Sequence, residues 1–242
     1  HGAGAKGVTF APLLDTGANV LSLTLKGSAT TASTTVTLKG ADGVTGSLDG
    51  NVALDVARML VKLPDDLLST DIPEHVYKGL KSSPVTDVHV FGRRGPAQVK
   101  FSPLELREAL HVNGVQAIVD PEDFQFDEGS QAAIDGNNQI RVMVKTLQDL
   151  KDNPQPEQER RLHLHFFHSP VGVIGKDGKV SGIKFERTKL DGTGNVTGTG
   201  EIIEYPVQAV YRAVGYFGSE LDEIPFDEKA GVIANNEGRV LD

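Results

Sequence analysis

The chain has 242 residues, 38% of them hydrophobic, a formal net charge of −9, and neither cysteine nor tryptophan. Its length holds one large domain or two small ones, and its acidity excludes a general binder of nucleic acid or of anionic membrane surfaces, though not a local basic site. Without cysteine there is no disulfide framework, thiolate metal site, iron–sulfur ligation or cysteine nucleophile, and no apolar run of about 18 residues is present to span a membrane.

The first 47 residues differ in character from the rest. The start, His1-Gly-Ala-Gly-Ala-Lys6, lacks the apolar stretch of a signal peptide, so a cytoplasmic location is expected. Val20–Leu25 and Thr34–Leu38 alternate as strands do, with a small-residue run, Gly27–Ser33, between them. Gly40–Gly46 reads as turns. This Thr/Gly-rich, β-like segment is set apart as residues 1–47, and 48–242 as a second unit.

From Gly50-Asn51 the pattern becomes helical, with Val52, Ala53, Leu54, Val56, Ala57 and Leu60 on an apolar stripe and Asp55 and Arg58 off it. A short helix is expected over Ile72–Leu80, a strand over Asp87–Phe91, a helix from Pro103 to Leu110 and a strand over Val115–Val119. Asp127–Ile134 and Gln139–Leu150 read as helices. After a polar loop, Leu162–His168, Val171–Ile174, Ser181–Leu190 and Gly200–Tyr205 follow at strand spacing, with Lys176-Asp-Gly178 and Asp191-Gly192 as turns, and read as an antiparallel meander. Gln208–Val214 returns as a buried strand. Strand–helix alternation followed by a meander implies an α/β nucleotide-binding domain with an antiparallel insertion.

Two features point to a ligand. A helix opening at Gly50-Asn51-Val52 presents unpaired N–H groups to an anion, with Gly50 allowing close approach, although Gly and Asn are also ordinary caps. Arg93 and Arg94 follow the strand that ends at Phe91. Where an NAD-binding fold places an acid on the ribose, a 2′-phosphate needs cations, and arginine offers a charged fork for phosphate oxygens. A solvated arginine pair is the alternative. The spacing from Gly50 to Arg93 exceeds the about 20 residues of the simplest fingerprint, and residues 61–84 read as an insertion. Glu105 reads as a first-turn acid facing the helix dipole. His163 and His165 share a strand face near His168, but with no further His or acid at ligand spacing no metal site is assigned.

Three segments, Gly50-Asn-Val-Ala-Leu-Asp-Val-Ala-Arg58, Phe91-Gly-Arg-Arg-Gly-Pro96 and Leu104-Glu-Leu-Arg-Glu108, closely resemble the NADPH-binding domain of the adrenodoxin reductase family, which includes bacterial NADPH–ferredoxin reductases. Phe166–Pro170, Val214–Tyr216, Ile224–Asp227, Gly231–Asn235 and Glu237–Val240 extend the resemblance from about Gly50 to the end. It implies a Rossmann-like NADP-binding domain with a parallel sheet and an antiparallel β-meander insertion, of the glutathione-reductase-like kind with two dinucleotide domains. It also implies NADP(H) contacts at Gly50, Asn51, Val52, Arg93, Arg94 and Glu105, with both arginines on the 2′-phosphate. The implied activity is that of an oxidoreductase, a flavoprotein that passes hydride from NADPH to FAD and then electrons to a ferredoxin-type iron–sulfur protein.

The chain departs from that family in its turn, which reads Leu48-Asp49-Gly50-Asn51 where the family has Gly-x-Gly-Asn, and in the apolar strand that should precede it, for which Thr34–Leu38 is the candidate replacement. Asp49 beside a pyrophosphate would repel it, so weak nucleotide affinity is expected. Residues 1–50 hold no glycine-rich FAD fingerprint, and the family's later Trp and Lys-Arg-Gly-Pro segment is not found. The expectation is therefore the NADPH-binding part without most of the FAD-binding part. A second reading is a non-catalytic chimera or interaction module that reuses the reductase scaffold.

Overall fold

Alternating strands that bury both faces need cover on both sides, and the chain supplies helices for one and a β-meander for the other. The computed structural model describes residues 32–38 (as backbone), 49–192, 194–213, 220–228 and 231–240. The expected strand Val20–Leu25 and segment Val214–Tyr216 lie outside these.

The central sheet has five parallel strands in the order β3-β4-β2-β1-β8: β1 (Ala32–Leu38), β2 (Val85–Gly92), β3 (Val115–Val119), β4 (Arg160–His165) and β8 (Ala209–Arg212). The threonine-rich β1 lies next to the end of this order, with β2 on one side and β8 on the other, and Leu38 stands level with Gly92. A strand from the segment set apart as 1–47 thus sits where the family's apolar first strand was sought.

Helix α1 (Asp49–Val61) buries Gly50, Ala53, Leu54, Ala57 and Val61. Their spacing is that of one helical face. Val52, Val56 and Leu60, expected on the same stripe, flank it half-buried. A short α2 (Glu74–Lys81) lies on the surface, within the segment read as an insertion. Helix α3 (Pro103–Leu110) starts with proline at a position whose N–H has no helical partner. Helices α4 (Glu128–Gly136) and α5 (Asn138–Asp152) lead into β4. Leu106, Ala109, Met143 and Leu147 pack with the α1 face onto Val88, Val90, Ala117, Leu162 and Leu164. Each fully buried Leu, Val or Met contributes ~1.5–3 kcal/mol by leaving water.

The meander consists of β5 (His168–Lys176), β6 (Lys179–Leu190) and β7 (Val196–Tyr205). Phe185 and Ile183 from β6 pack with Phe91, Val207 and Val210 on the opposite face of the sheet, the Phe91 and Phe185 rings 4.0 Å apart. Here the expected boundaries need one correction. The alternating segment that begins at Leu162 is not the first strand of the meander. Helices α4 and α5 separate it from β3, and a crossover of that kind returns a strand parallel to the one it left. The meander begins only at His168.

Gly50 is fixed by close approach. A Cβ there would stand 2.5 Å from the backbone N of Phe101 and 2.9 Å from the carbonyl carbon of Lys100. Backbone cannot yield as a flexible side chain can, so Gly50→Ala is expected to lower stability by ~1–3 kcal/mol. Urea denaturation checks this, and an unchanged midpoint would refute it.

Candidate functional site

All five strands point their carboxyl ends the same way, and β1 is the strand whose neighbours on either side are reached by connections running in opposite directions. Ligands in open α/β sheets bind in the crevice outside such a switch point. Helix α1 follows β1, so its N-terminus lies along the chain from this edge. The N–H groups of its first three residues, Asp49 to Asn51, precede the first bond of the helix ladder and carry the positive end of the helix dipole. Val52, the fourth residue of the helix, packs half-buried against the core. Leu48 and the side chain of Asp49, on which the expectation of weak pyrophosphate binding rests, lie outside the described residues.

Asn51 clasps α1 to α3. Its Oδ1 accepts the Ser102 backbone N–H at 2.7 Å. Ser102 caps α3, its hydroxyl accepting the Glu105 N–H at 3.2 Å. In a complete capping box the glutamate would reach back to the N–H of the serine. Asn51 already holds that N–H, so the half-buried Glu105 carboxylate is not committed to it. Gly50 serves the same junction, since the space of its absent side chain is filled by the backbone of Lys100 and Phe101 rather than held open toward a ligand.

Arg93 and Arg94 leave the end of β2 half-buried, on a loop tied down from outside the strand. The Thr188 hydroxyl donates to the Arg93 carbonyl at 2.6 Å, and the Phe167 N–H donates to the Arg94 carbonyl at 3.2 Å. Phe167 sits in the left-handed region, φ 55°, between β4 and β5, and its own carbonyl accepts the Thr188 N–H at 2.8 Å. A Cβ at Gly95 would collide with the Phe167 ring. Pro96 and Ala97 are buried beyond it. The two guanidinium groups therefore spring from a backbone whose path is set by the meander.

No family model matches the chain. Curated proteins do. The NADPH-ferredoxin reductase FprA of Mycobacterium tuberculosis is 39% identical over 196 residues, 79% of this chain and 42% of that protein. The mitochondrial NADPH:adrenodoxin oxidoreductase of Bos taurus is 39% identical over 208 residues, 80% of this chain and 42% of that protein. Among solved structures, Mycobacterium tuberculosis FprA in complex with NADPH matches with a TM-score of 0.72 at 36% identity, over 87% of this chain and 45% of that one. The chain is homologous to the NADPH–ferredoxin and adrenodoxin reductases. It spans about two-fifths of the length of the curated relatives it matches. The fold is the expected one, a Rossmann-like α/β sheet with an antiparallel meander, as in FprA.

This reductase relative carries two polar constellations that no local pattern reveals. The first is a column of rings on the sheet face away from the helices. His89 stacks on His163 at 4.2 Å and on His165 at 5.2 Å, and His165 stacks on Phe91 at 4.5 Å. The spacing argument at His163 and His165 finds no further histidine or acid beside them, but parallel pairing brings both: His89 lies opposite His163 in register, and Asp87 opposite Arg161. His168 turns away, its Nδ1 2.5 Å from the Phe166 carbonyl and its Nε2 2.9 Å from the Tyr205 hydroxyl. Burial, reinforced by neighbouring cationic or imidazole groups, pulls His89 down to about 3 and His165 to about 2, so these rings are neutral at physiological pH. Asp87 lies at about 2: burial opposes ionisation, but hydrogen bonds from Arg161, His163 and Thr86 outweigh it.

The second is Asp123, wholly buried in the turn after β3. It accepts the Phe166 N–H at 2.9 Å through one oxygen and Arg187 Nη1 at 2.9 Å through the other. Burial pushes its carboxyl up, against those two donors. A buried acid paired with an arginine 64 positions away leaves no sequence signal.

Replacing Asn51 by alanine removes the Ser102 acceptor and frees that N–H for Glu105, which can complete the capping box. Asn51→Ala alone should cost ~1 kcal/mol, and Asn51→Ala with Glu105→Ala more than the sum of the single changes. Strict additivity in urea denaturation would show that the two acceptors do not share the N–H.

Proposed function

We propose that the chain is the NADPH-binding part of a flavoprotein NADPH:ferredoxin or adrenodoxin reductase, with Arg93 and Arg94 reading the 2′-phosphate. The observation that carries this reading is the arginine loop at the carboxyl end of β2, next to the switch strand and anchored by Thr188 and Phe167. The residues suit the nucleotide. Two guanidinium forks match phosphate oxygens, and the start of α1 offers the N–H groups of Gly50 and Asn51 to the pyrophosphate, with Val52 packed behind them. Glu105 accepts from neutral donors such as ribose hydroxyls or an amide, or orients an arginine.

In that reading the residues that would hold NADPH are Gly50, Asn51, Val52, Arg93, Arg94 and Glu105, and the bound nucleotide would supply hydride for the FAD of the complete reductase and, through it, electrons for a ferredoxin-type iron–sulfur protein. The chain's own residues bind and orient the dinucleotide. No residue of this chain is assigned to flavin, and no catalytic residue is assigned. Within this reading residues 48–242 form the nucleotide-binding unit and 1–47 lends it β1. Among the described residues no helix is long and apolar enough to cross a membrane. Relatives named as mitochondrial stand beside bacterial ones, so the cytoplasmic expectation is not singled out.

The test is calorimetric titration of the purified chain with NADP⁺ and with NAD⁺, after its visible spectrum is recorded. NADP⁺ should bind more tightly than NAD⁺. Each charge-assisted hydrogen bond is worth ~1.5–3 kcal/mol, so Arg93→Ala with Arg94→Ala should weaken NADP⁺ by roughly 100-fold or more and leave NAD⁺ nearly unchanged. A double variant that keeps its preference would reject the 2′-phosphate assignment. Absence of binding to either nucleotide in the unaltered chain would favour the non-catalytic scaffold, and stoichiometric flavin absorbance would overturn the view that this chain carries the nucleotide part alone.

A further inference from the structure

We propose that His89, His163 and His165 form a binding site for one divalent transition-metal ion of the zinc class, on the sheet face away from the helices. One ring nitrogen from each of the three lies within 4.8 Å of the other two. The pleat dictates the grouping: residues two apart on β4 share a face, and parallel register sets His89 of β2 directly beside His163. Imidazole is the commonest protein ligand for such ions, and three imidazoles with a fourth position left to water is the donor set of an open zinc site.

His89 Nδ1 and His165 Nε2 face each other at 2.9 Å, with one proton between them. Tautomerisation moves that proton to the far nitrogen of its own ring and leaves two lone pairs facing each other. With bonds of about 2.1 Å, nitrogens 2.9 Å apart subtend about 90° at an ion, and a further half ångström or so of separation reaches the tetrahedral angle. His163 supplies the third ligand. Its Nε2 lies 2.8 Å from Asp87 Oδ1, and that carboxylate is held in turn by Arg161 Nη2 at 2.8 Å. A carboxylate only accepts, so the His163 proton is on Nε2 and the lone pair on Nδ1. A carboxylate behind a histidine is the usual support of a metal ligand. The rings stack nearly parallel, within 6° to 16°. Convergence on an ion therefore requires rotation about χ2, a broad and soft torsion. The His163 side chain remains 19% exposed and gives the ion its way in. Once bound, the ion would clamp β2 to β4 a short distance before Arg93.

The experiment titrates the full chain with ZnCl₂ by calorimetry and follows the imidazole ¹H–¹⁵N resonances. One Zn²⁺ per chain is expected, with affinity falling at least tenfold in His89→Gln and in His165→Gln. A triple variant, His1→Gln, His75→Gln and His111→Gln, should bind as the unaltered chain does, because it spares the cluster. Ring resonances of His89, His163 and His165 should move together while His168, tied to Tyr205, keeps its tautomer. This spectrum stands on the unaltered chain and decides the matter even if a cluster variant does not fold. Binding abolished in the triple variant, or cluster resonances unmoved by Zn²⁺, would overturn the proposal. Zinc affinity unchanged in Arg93→Ala with Arg94→Ala would show that the site is independent of the nucleotide reading, and affinity lost in that variant would overturn the assignment to the histidines alone.

Discussion

The corner at Phe166 and Phe167 is the constraint on which the rest of the structure hangs. There the chain leaves the parallel sheet and starts the meander, and it does so through a left-handed phenylalanine, a conformation that costs a residue with a side chain ~1–2 kcal/mol. Hydrogen bonds from several elements hold it. Asp123 takes the Phe166 N–H, Arg187 donates to the Phe166 carbonyl at 3.0 Å, Arg94 accepts the Phe167 N–H, and the Thr188 N–H closes on the Phe167 carbonyl. Removing one partner of a buried charge pair typically costs 3–5 kcal/mol, because the other is left uncompensated. The Asp123–Arg187 pair therefore acts less as a net stabiliser than as a lock on one geometry of this corner.

In the proposed reading that geometry bears on binding through the arginine loop. Arginine side chains carry much rotamer entropy, and a loop free to move would add backbone entropy to the cost of ordering them on a ligand. Here β6 and Phe167 fix the carbonyls of both arginines, and Gly95 admits the Phe167 ring. The other half of the site is fixed independently, by Asn51 on Ser102 and by the close approach at Gly50. The two pieces are thus held by different contacts, and in the proposed reading nucleotide binding need order only side chains.

Much of this was legible in the sequence because it depends on local pattern. Pro103–Leu110 and Val115–Val119 carry their own start signals and periodicity, and both elements have those bounds. The arginine pair was legible from its place after a strand. What local pattern does not contain is partner choice. Alternation in Arg160–His165 identifies a strand but not its direction, which the preceding helices decide. Gly50 reads as room for a ligand, whereas its neighbour is the backbone of Phe101, about fifty positions along. The histidine column and Asp123 arise from contacts across 76 and 64 positions, and no spacing rule spans such gaps.

Strand β2 joins these observations. Val88 and Val90 face the helices, Asp87, His89 and Phe91 face the other way, and Arg93 and Arg94 continue from its end. With side chains alternating at a period of two, a one-residue slip in its pairing would exchange the two sets. It would bury Asp87 and His89 among the helices and strip Phe91 from Phe185 at the same time. The register against β1 and β4 is therefore strongly specified from both faces, even though β1 is rich in threonine and offers little apolar signal of its own. The arginine pair on such a strand can tolerate an unusual neighbour at β1, because its position is set by β2, β4 and the corner at Phe167 rather than by the composition of the strand beside it.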